Sequence, residues 1–266
     1  MSVKITVIMG IYNCAGTLSE ALDSLLAQTY SDWNAVLCDD GSSDDTYRIA
    51  SGYAEKFPDR FILIKNEHNM GLNHTLNRCL ELARGEYIAR MDGDDISLPA
   101  RFEAEAGFLD AHPQYSVVST PMIYFNENGD WGRGTAGGEV TARDFVHGSP
   151  FCHAPCMVRS GAYAAVGGYS TDRRTLRAED YDLWFRMYEL GYKGYNLDVP
   201  LYKMRDDENA YHRRKLKYCF NEAFVRAKGF ERLKLPIYDY VFVLRPLIVG
   251  LLPKRLYMFL HHRKKR

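Results

Sequence analysis

The chain has 266 residues, enough for one large α/β domain or two small ones, and 46% of them are hydrophobic, which excludes a disordered polypeptide. Its formal net charge is zero, yet residues 1–200 hold 17 Lys/Arg against 28 Asp/Glu, and residues 201–266 hold 17 against 6. An acidic body therefore joins a basic tail. The acidic body and the lack of a recognition module argue against nucleic-acid binding.

Residues 3–10 (VKITVIMG) alternate and are β-branched, which predicts a strand. Thr17-Leu18-Ser19-Glu20 has the form of a capping box, and Ala21, Leu22, Leu25 and Leu26 follow at helical spacing. WNAVLCDDGSSDDT predicts a second strand ending in acids, Gly and Ser, then a helix to about Phe57. RFILIKN reads as a third strand, GLNHTLNRCLELARG as a helix stopped by Gly85, and EYIARMD as a fourth strand. Residues 126–139 are Gly-rich and read as a loop, and AEDYDLWFRMYELG (178–191) as a helix with Leu183, Trp184, Met187 and Tyr188 on one face. Asp180 then projects from the first turn on that inward side. Alternating strands and helices predict an α/β fold, a mostly parallel sheet flanked by helices.

Cysteines 14, 38, 79, 152, 156 and 219 lie mostly in apolar runs, and no signal peptide is evident, so they read as reduced cytosolic thiols. Cys152-His153-Ala154-Pro155-Cys156 resembles half a zinc site, but no second pair with usable spacing follows.

Ligands of open α/β sheets sit beyond the carboxyl ends of the strands. Three such ends here are polar: Tyr12-Asn13, Asp39-Asp40-Gly41-Ser42-Ser43 and Asp92-Gly93-Asp94-Asp95. One crevice lined by all three is the natural expectation. Helix capping needs one residue (Ser97 before Pro99 could serve) and leaves Asp92, Asp94 and Asp95 unexplained, because packed like charges repel. A hard divalent cation, Mg²⁺ or Mn²⁺, bridging carboxylates to substrate phosphates would remove that cost. No phosphate-binding glycine loop is present, so the phosphate site reads as metal-based. Asp39 or Asp40 could accept hydrogen bonds from a base or ribose.

VIMGIYN, QTYSDWNAVLCDDGSSDDT, NMGLNHTLNRCLELARGEYIARMDGDD, GGY and AEDYDLWFRM, in that order, resemble the family 2 inverting glycosyltransferases of the GT-A, Rossmann-like fold over about residues 3–200. The resemblance implies that Asp92-Gly93-Asp94 is a DXD motif whose acids hold the metal and the diphosphate, with Asp94 the direct ligand and Asp95 beside it. It implies that Asp40 binds the nucleotide base, usually uracil, with Asp39 and Asn69 in the nucleotide site and Tyr12 stacked near the base. Asp180 matches the catalytic base, with Glu179 beside it, and His153 and Trp184 fall toward the acceptor side. Asp180, at a helix N-terminus, is expected to stay ionised. The chain departs from the family's Tyr-Arg-x-His-like stretch, leaving Lys203, Arg205 or His212 as the diphosphate contact.

The resulting division is a transferase domain over 1–205 (1–98 binding the nucleotide sugar, 99–205 the acceptor) and a basic helical extension over 206–266. In the extension, residues 236–266 mix apolar, aromatic and cationic side chains, with Asp239, Arg245, Pro246 and Pro253 interrupting any membrane span. It reads as a surface-lying region on anionic lipid, which suits a peripheral enzyme at the inner face of the cell membrane with a glycan or lipid-linked acceptor. Two other functions fit the same fold, a sugar-1-phosphate nucleotidyltransferase and a non-catalytic subunit. The first-strand loop GIYNCAGTLSE lacks the basic, glycine-rich character of the former, and intact Asp94 and Asp180 argue against the latter.

Overall fold

The β-branched run at the start of the chain forms β1 (Ile5–Ile11), and Ile5, Val7, Ile8 and Met9 are all fully buried, as a central strand covered on both faces requires. The computed structural model describes residues 3–134, 137–205 and 216–252. Chain order continues with α1 (Leu18–Leu26), β2 (Trp33–Asp39), α2 (Thr46–Lys56), β3 (Phe61–Lys65), α3 (Leu72–Leu82), β4 (Tyr87–Arg90), β5 (Ile96–Ser97) and α4 (Arg101–Ala111). Next come β6 (Val117–Ser119), β7 (Met122–Asn126), β8 (Gly129–Arg133), β9 (Gly138–Val140), β10 (Met157–Arg159) and α5 (Ser160–Val166). Then follow α6 (Glu179–Glu189), β11 (Gly194–Asn196), β12 (Tyr202–Arg205), α7 (Leu216–Arg232), a 3₁₀ segment (Ile237–Leu244) and α8 (Arg245–Gly250).

The main sheet has eight strands in the order β3-β2-β1-β4-β10-β6-β11-β9. β3, β2, β1 and β4 are parallel, β6 and β11 pair in parallel, and only β10 and β9 oppose their neighbours. The order reverses at β1, flanked by β2 and β4, so the switch-point crevice lies between the loops after β1 and β4. Alternation along the strands splits the core. Val7, Met9, Ala35 and Leu37 meet α1, α2 and α4 on one face. Ile8, Val36 and Cys38 meet the face formed by α3, α5, α6 and α7.

A second sheet, β5-β12-β7-β8, is the chief departure from expectation. Residues 126–139 are not a loop: β8 pairs antiparallel with β7, and β9 joins the edge of the main sheet. The capping box does not form. The Thr17 hydroxyl instead donates to the Gly93 carbonyl at 2.9 Å, and Glu20 pairs with Arg205. Ser97 caps no helix; it is buried in β5 and α4 begins at Arg101. α3 ends at Leu82, before Gly85, where a Cβ would lie 2.4 Å from the Thr6 nitrogen. Gly85 thus permits close passage of backbone against β1 rather than a left-handed helix stop.

Toward the C-terminal end of the described residues, Val225 and Phe230 of α7 and Leu235 join the α6 side of the core. Among the described residues no helix is long and apolar enough to cross a membrane. His212 and the tail from Pro253 onward lie outside the described residues.

Candidate active site

The crevice is built by stitching one strand-end loop to the next. Asn13 adopts φ 47°, a left-handed conformation that Asn tolerates. Its side-chain oxygen accepts the Ser43 N–H at 2.9 Å, while its own N–H donates to the Ser42 hydroxyl at 3.1 Å. The Cys14 and Ala15 N–H groups donate to Thr46 Oγ1 (2.8 Å) and Asp44 Oδ2 (3.1 Å). The loops after β1 and β2 therefore form one rigid rim, from which Tyr12 projects 48% exposed. Asn69 is also exposed, on the loop that passes over Gly41.

The two adjacent acids after β2 have different surroundings. Asp40 is saturated: Oδ1 accepts from Asn66 Nδ2 (2.6 Å) and the Met70 N–H (2.8 Å), and Oδ2 from the Gly71 N–H (2.9 Å). It secures the turn that starts α3, and these three donors occupy both of its oxygens. Asp39 is equally buried, yet among the described residues Oδ1 has no hydrogen-bond partner and Oδ2 accepts only the Ser42 N–H at 3.2 Å, with the Lys65 ammonium 4.0 Å away. A buried carboxylate oxygen without a donor is the group expected to meet a ligand.

After β4 the three carboxylates also diverge. Asp92 is half-exposed and bonded to Arg90 Nη2 at 2.6 Å. Asp94 is exposed. Asp95 is buried, and its Oδ1 accepts the Arg205 N–H at 2.8 Å. Burial, with Asp92 and Asp94 alongside, pushes its pKa up to about 8. Asp95 thus anchors β12 through this bond. Gly93 is required by space, because a Cβ there would fall 2.8 Å from Cys14 Sγ. Among the described residues no three His, Cys, Asp or Glu side chains converge on one point. Asp92 and Asp94 remain as hard oxygen donors, which suits a cation that takes its other positions from phosphate and water.

The opposite wall carries Asp180 in the first turn of α6, half-buried, with Oδ2 accepting the Ser149 hydroxyl at 2.9 Å. Burial pushes its pKa up, opposed by Ser149 and by the Tyr181 N–H. Glu179 is likewise pushed up by burial and then by Asp180, and its Oε2 has no partner. His153 Nε2 lies 2.9 Å from the Tyr169 hydroxyl, and burial holds its pKa well below the usual value. Trp184 is fully buried, edge-on to His153 and Phe151, and so supports the wall rather than facing an acceptor.

Arg90 links the two walls and was missed in the sequence. It is 4% exposed and pairs with Asp92, and its charge also lowers the pKa of Glu179, Asp180 and His153. The signal was a cation inside an otherwise apolar strand, two residues before Asp92 and so on the same side. Of the expected diphosphate contacts, Lys203 is committed to Asp130 at 2.8 Å, and Arg205 to the Asp94 carbonyl (3.0 Å) and Glu20.

A mostly parallel sheet flanked by helices, with polar strand ends gathered at its switch point, is the architecture of an α/β enzyme. The family model described as Glycosyl transferase family 2 matches residues 6–166. EpsE of Bacillus subtilis (strain 168), a glycosyltransferase by its name, is 45% identical over 262 residues, covering 98% of this chain and 94% of EpsE. The Staphylococcus aureus TarS 1–349 structure in complex with UDP-GlcNAc superposes with TM-score 0.69 at 19% identity, covering 95% of this chain and 82% of that one. The mannosyltransferase PcManGT of Pyrobaculum calidifontis, in complex with GDP-Man and Mn²⁺, gives TM-score 0.63 at 19% identity over 98% of this chain and 79% of its own. The chain belongs to glycosyltransferase family 2; it has the GT-A, Rossmann-like fold and is a glycosyltransferase.

Proposed function

We propose that the protein is an inverting, metal-dependent transferase that moves a sugar from a UDP-sugar to a hydroxyl of a glycan or lipid-linked oligosaccharide. The observation that carries this is Asp180, a carboxylate on the acceptor wall raised above its ordinary pKa and oriented by Ser149. The segment 1–205 performs the reaction, with 1–98 holding the donor and 99–205 the acceptor. On this reading Asp39 Oδ1 takes an N–H of the uracil ring and Tyr12 covers its face. Mn²⁺ or Mg²⁺ at Asp94 and Asp92 would supply Lewis-acid neutralisation of the leaving diphosphate. TarS with UDP-GlcNAc and PcManGT with Mn²⁺ support a nucleotide-sugar donor and a cation in this fold.

Asp180 accepts the proton of the acceptor hydroxyl as its oxygen attacks the anomeric carbon from the face opposite the diphosphate. The new C–O bond forms as the old one breaks, UDP leaves, and the anomeric centre inverts. A raised pKa makes the carboxylate a stronger base while ionised. The extension 206–266 places the enzyme peripherally at the cytoplasmic face of the membrane, where a lipid-linked acceptor would lie. Asp180→Asn should retain UDP binding by calorimetry and lose transfer by roughly 10²–10⁴-fold. Near-normal turnover would move the base to Glu179, since Asp182 is tied to Arg186 at 2.8 Å.

A further inference from the structure

The rod formed by the 3₁₀ segment Ile237–Leu244 and α8 has two unlike sides. Asp239 and Pro246 are buried, and Tyr240, Phe242 and Val243 pack into the core, with Tyr240 edge-on to Phe230 at 5.7 Å. On the outward side Ile237 (82% exposed), Tyr238 (67%), Val241 (65%), Leu244 (53%), Ile248 (62%) and Leu251 (74%) stand in water. Isolated exposed apolar residues are ordinary; six on one short element form a patch that needs an occupant.

Charge selects the occupant. Within residues 237–252 the only charged side chains are Asp239, buried and paired with Arg143, and Arg245, bonded to the His147 carbonyl. The sequence that follows, PKRLYMFLHHRKKR, carries six Lys/Arg and no Asp/Glu. An apolar strip free of acids and continued by cations complements an anionic lipid surface. A second copy would instead bring two cationic tails together. The same two contacts, Arg143–Asp239 and Arg245–His147, together with the His147 ring edge-on to Phe242 at 5.3 Å, tie the rod to the loop that presents Ser149 to Asp180.

We propose that the outward side of Ile237–Leu251 is a docking face for an anionic lipid bilayer, latched through residues 143–149 to the acceptor wall, so that the acceptor hydroxyl is met at the membrane surface. The docking face deepens the peripheral placement proposed above, and its last consequence rests in addition on the transferase reading. The test is flotation of full-length protein with vesicles of phosphatidylglycerol and phosphatidylcholine, and with phosphatidylcholine alone. Wild type should float with the anionic vesicles only, and Val241→Asp/Ile248→Asp should lose about tenfold or more of that partition. A UDP-induced thermal shift in Mn²⁺ shows that the variant is folded; Leu244→Asp/Leu251→Asp reads the same face independently. Undiminished flotation of both folded variants overturns the proposal, as does equal flotation on neutral vesicles. A lipid-free dimer that the substitutions dissolve would make the face a contact between copies and overturn it too. Failure to turn over any nucleotide sugar, with flotation intact, would refute the transferase reading and leave the docking face standing.

Discussion

Asp39 and Asp40 are adjacent in sequence and equally buried, and substituting each by Asn separates a ligand-binding acid from a structural one. In Asp40→Asn one carboxylate oxygen becomes an NH₂ group. The remaining oxygen can keep Asn66 and the Met70 N–H, but the Gly71 N–H, 2.9 Å from Oδ2, then faces a donor. Losing a bond to a charged acceptor costs about 1.5–3 kcal/mol, and a buried unsatisfied N–H adds about 1–3. The expected destabilisation is thus roughly 3–5 kcal/mol. Asp39→Asn keeps an oxygen for the Ser42 N–H and removes one that had no partner, so its stability should change by less than about 1 kcal/mol. Its UDP affinity should fall about 10- to 100-fold, as loss of a charge-assisted bond to the base implies. Urea denaturation without ligand and calorimetry with UDP and Mn²⁺ measure both quantities. Wild-type UDP affinity in Asp39→Asn, with affinity lost in a stably folded Asp40→Asn, would refute the assignment and restore the role that the resemblance implied.

The Ser149 hydroxyl favours the ionised form of Asp180, so Ser149→Ala should move the acid limb of the pH dependence of kcat/KM to higher pH; a stationary limb, or one moved lower, argues that Asp180 is not the titrating base. Gly93→Ala should cost about 1–3 kcal/mol in denaturation through the Cys14 contact, and adding Cys14→Ala should recover most of it, whereas additive losses would place the strain elsewhere. Glu105, fully buried with Arg101, has its pKa pushed from 4.5 to about 8 because desolvation outweighs the ion pair. Between those values the folded chain binds more protons than the unfolded one, so this contribution to stability is complete below pH 4.5 and is lost as pH rises through about 8. Denaturation midpoints of Glu105→Gln should lack that decline.

The first half of the fold was legible because its information is local. β1 to β4 are apolar runs closed by polar turns, and the three polar strand ends the sequence singled out do ring one switch point. The second sheet was not legible, because β5 is two residues long and β12 finds its partners at Ile96–Ser97 and Met122–Phe125, far away in sequence. Thr17 and Glu20 carry a local capping signal that tertiary partners, Gly93 and Arg205, override. Asp39 and Asp40 cannot be told apart in sequence. The distinction depends on Asn66, Met70 and Gly71, which the fold brings to Asp40 from the next strand end.

The crowding of acids after β4 is partly compensated by the protein itself. Three like charges at one strand end looked as if they required a cation for all three. The fold instead provides each of two acids with its own compensation: Arg90 reaches Asp92 from inside the sheet, and β12 gives Asp95 a backbone donor. A buried arginine is itself costly unless paired, so Arg90 and Asp92 stabilise each other. On the proposed reading a cation would be held by Asp94 and Asp92, a small set of hard oxygen donors that suits an ion bridging to a diphosphate. The same arginine charge lowers the pKa of Glu179 and Asp180, so the acids after β4 and those at the start of α6 share one buried cation. The rise that burial imposes on Asp180 is thereby limited, so that, if Asp180 is the base proposed above, Arg90 tempers its proton affinity.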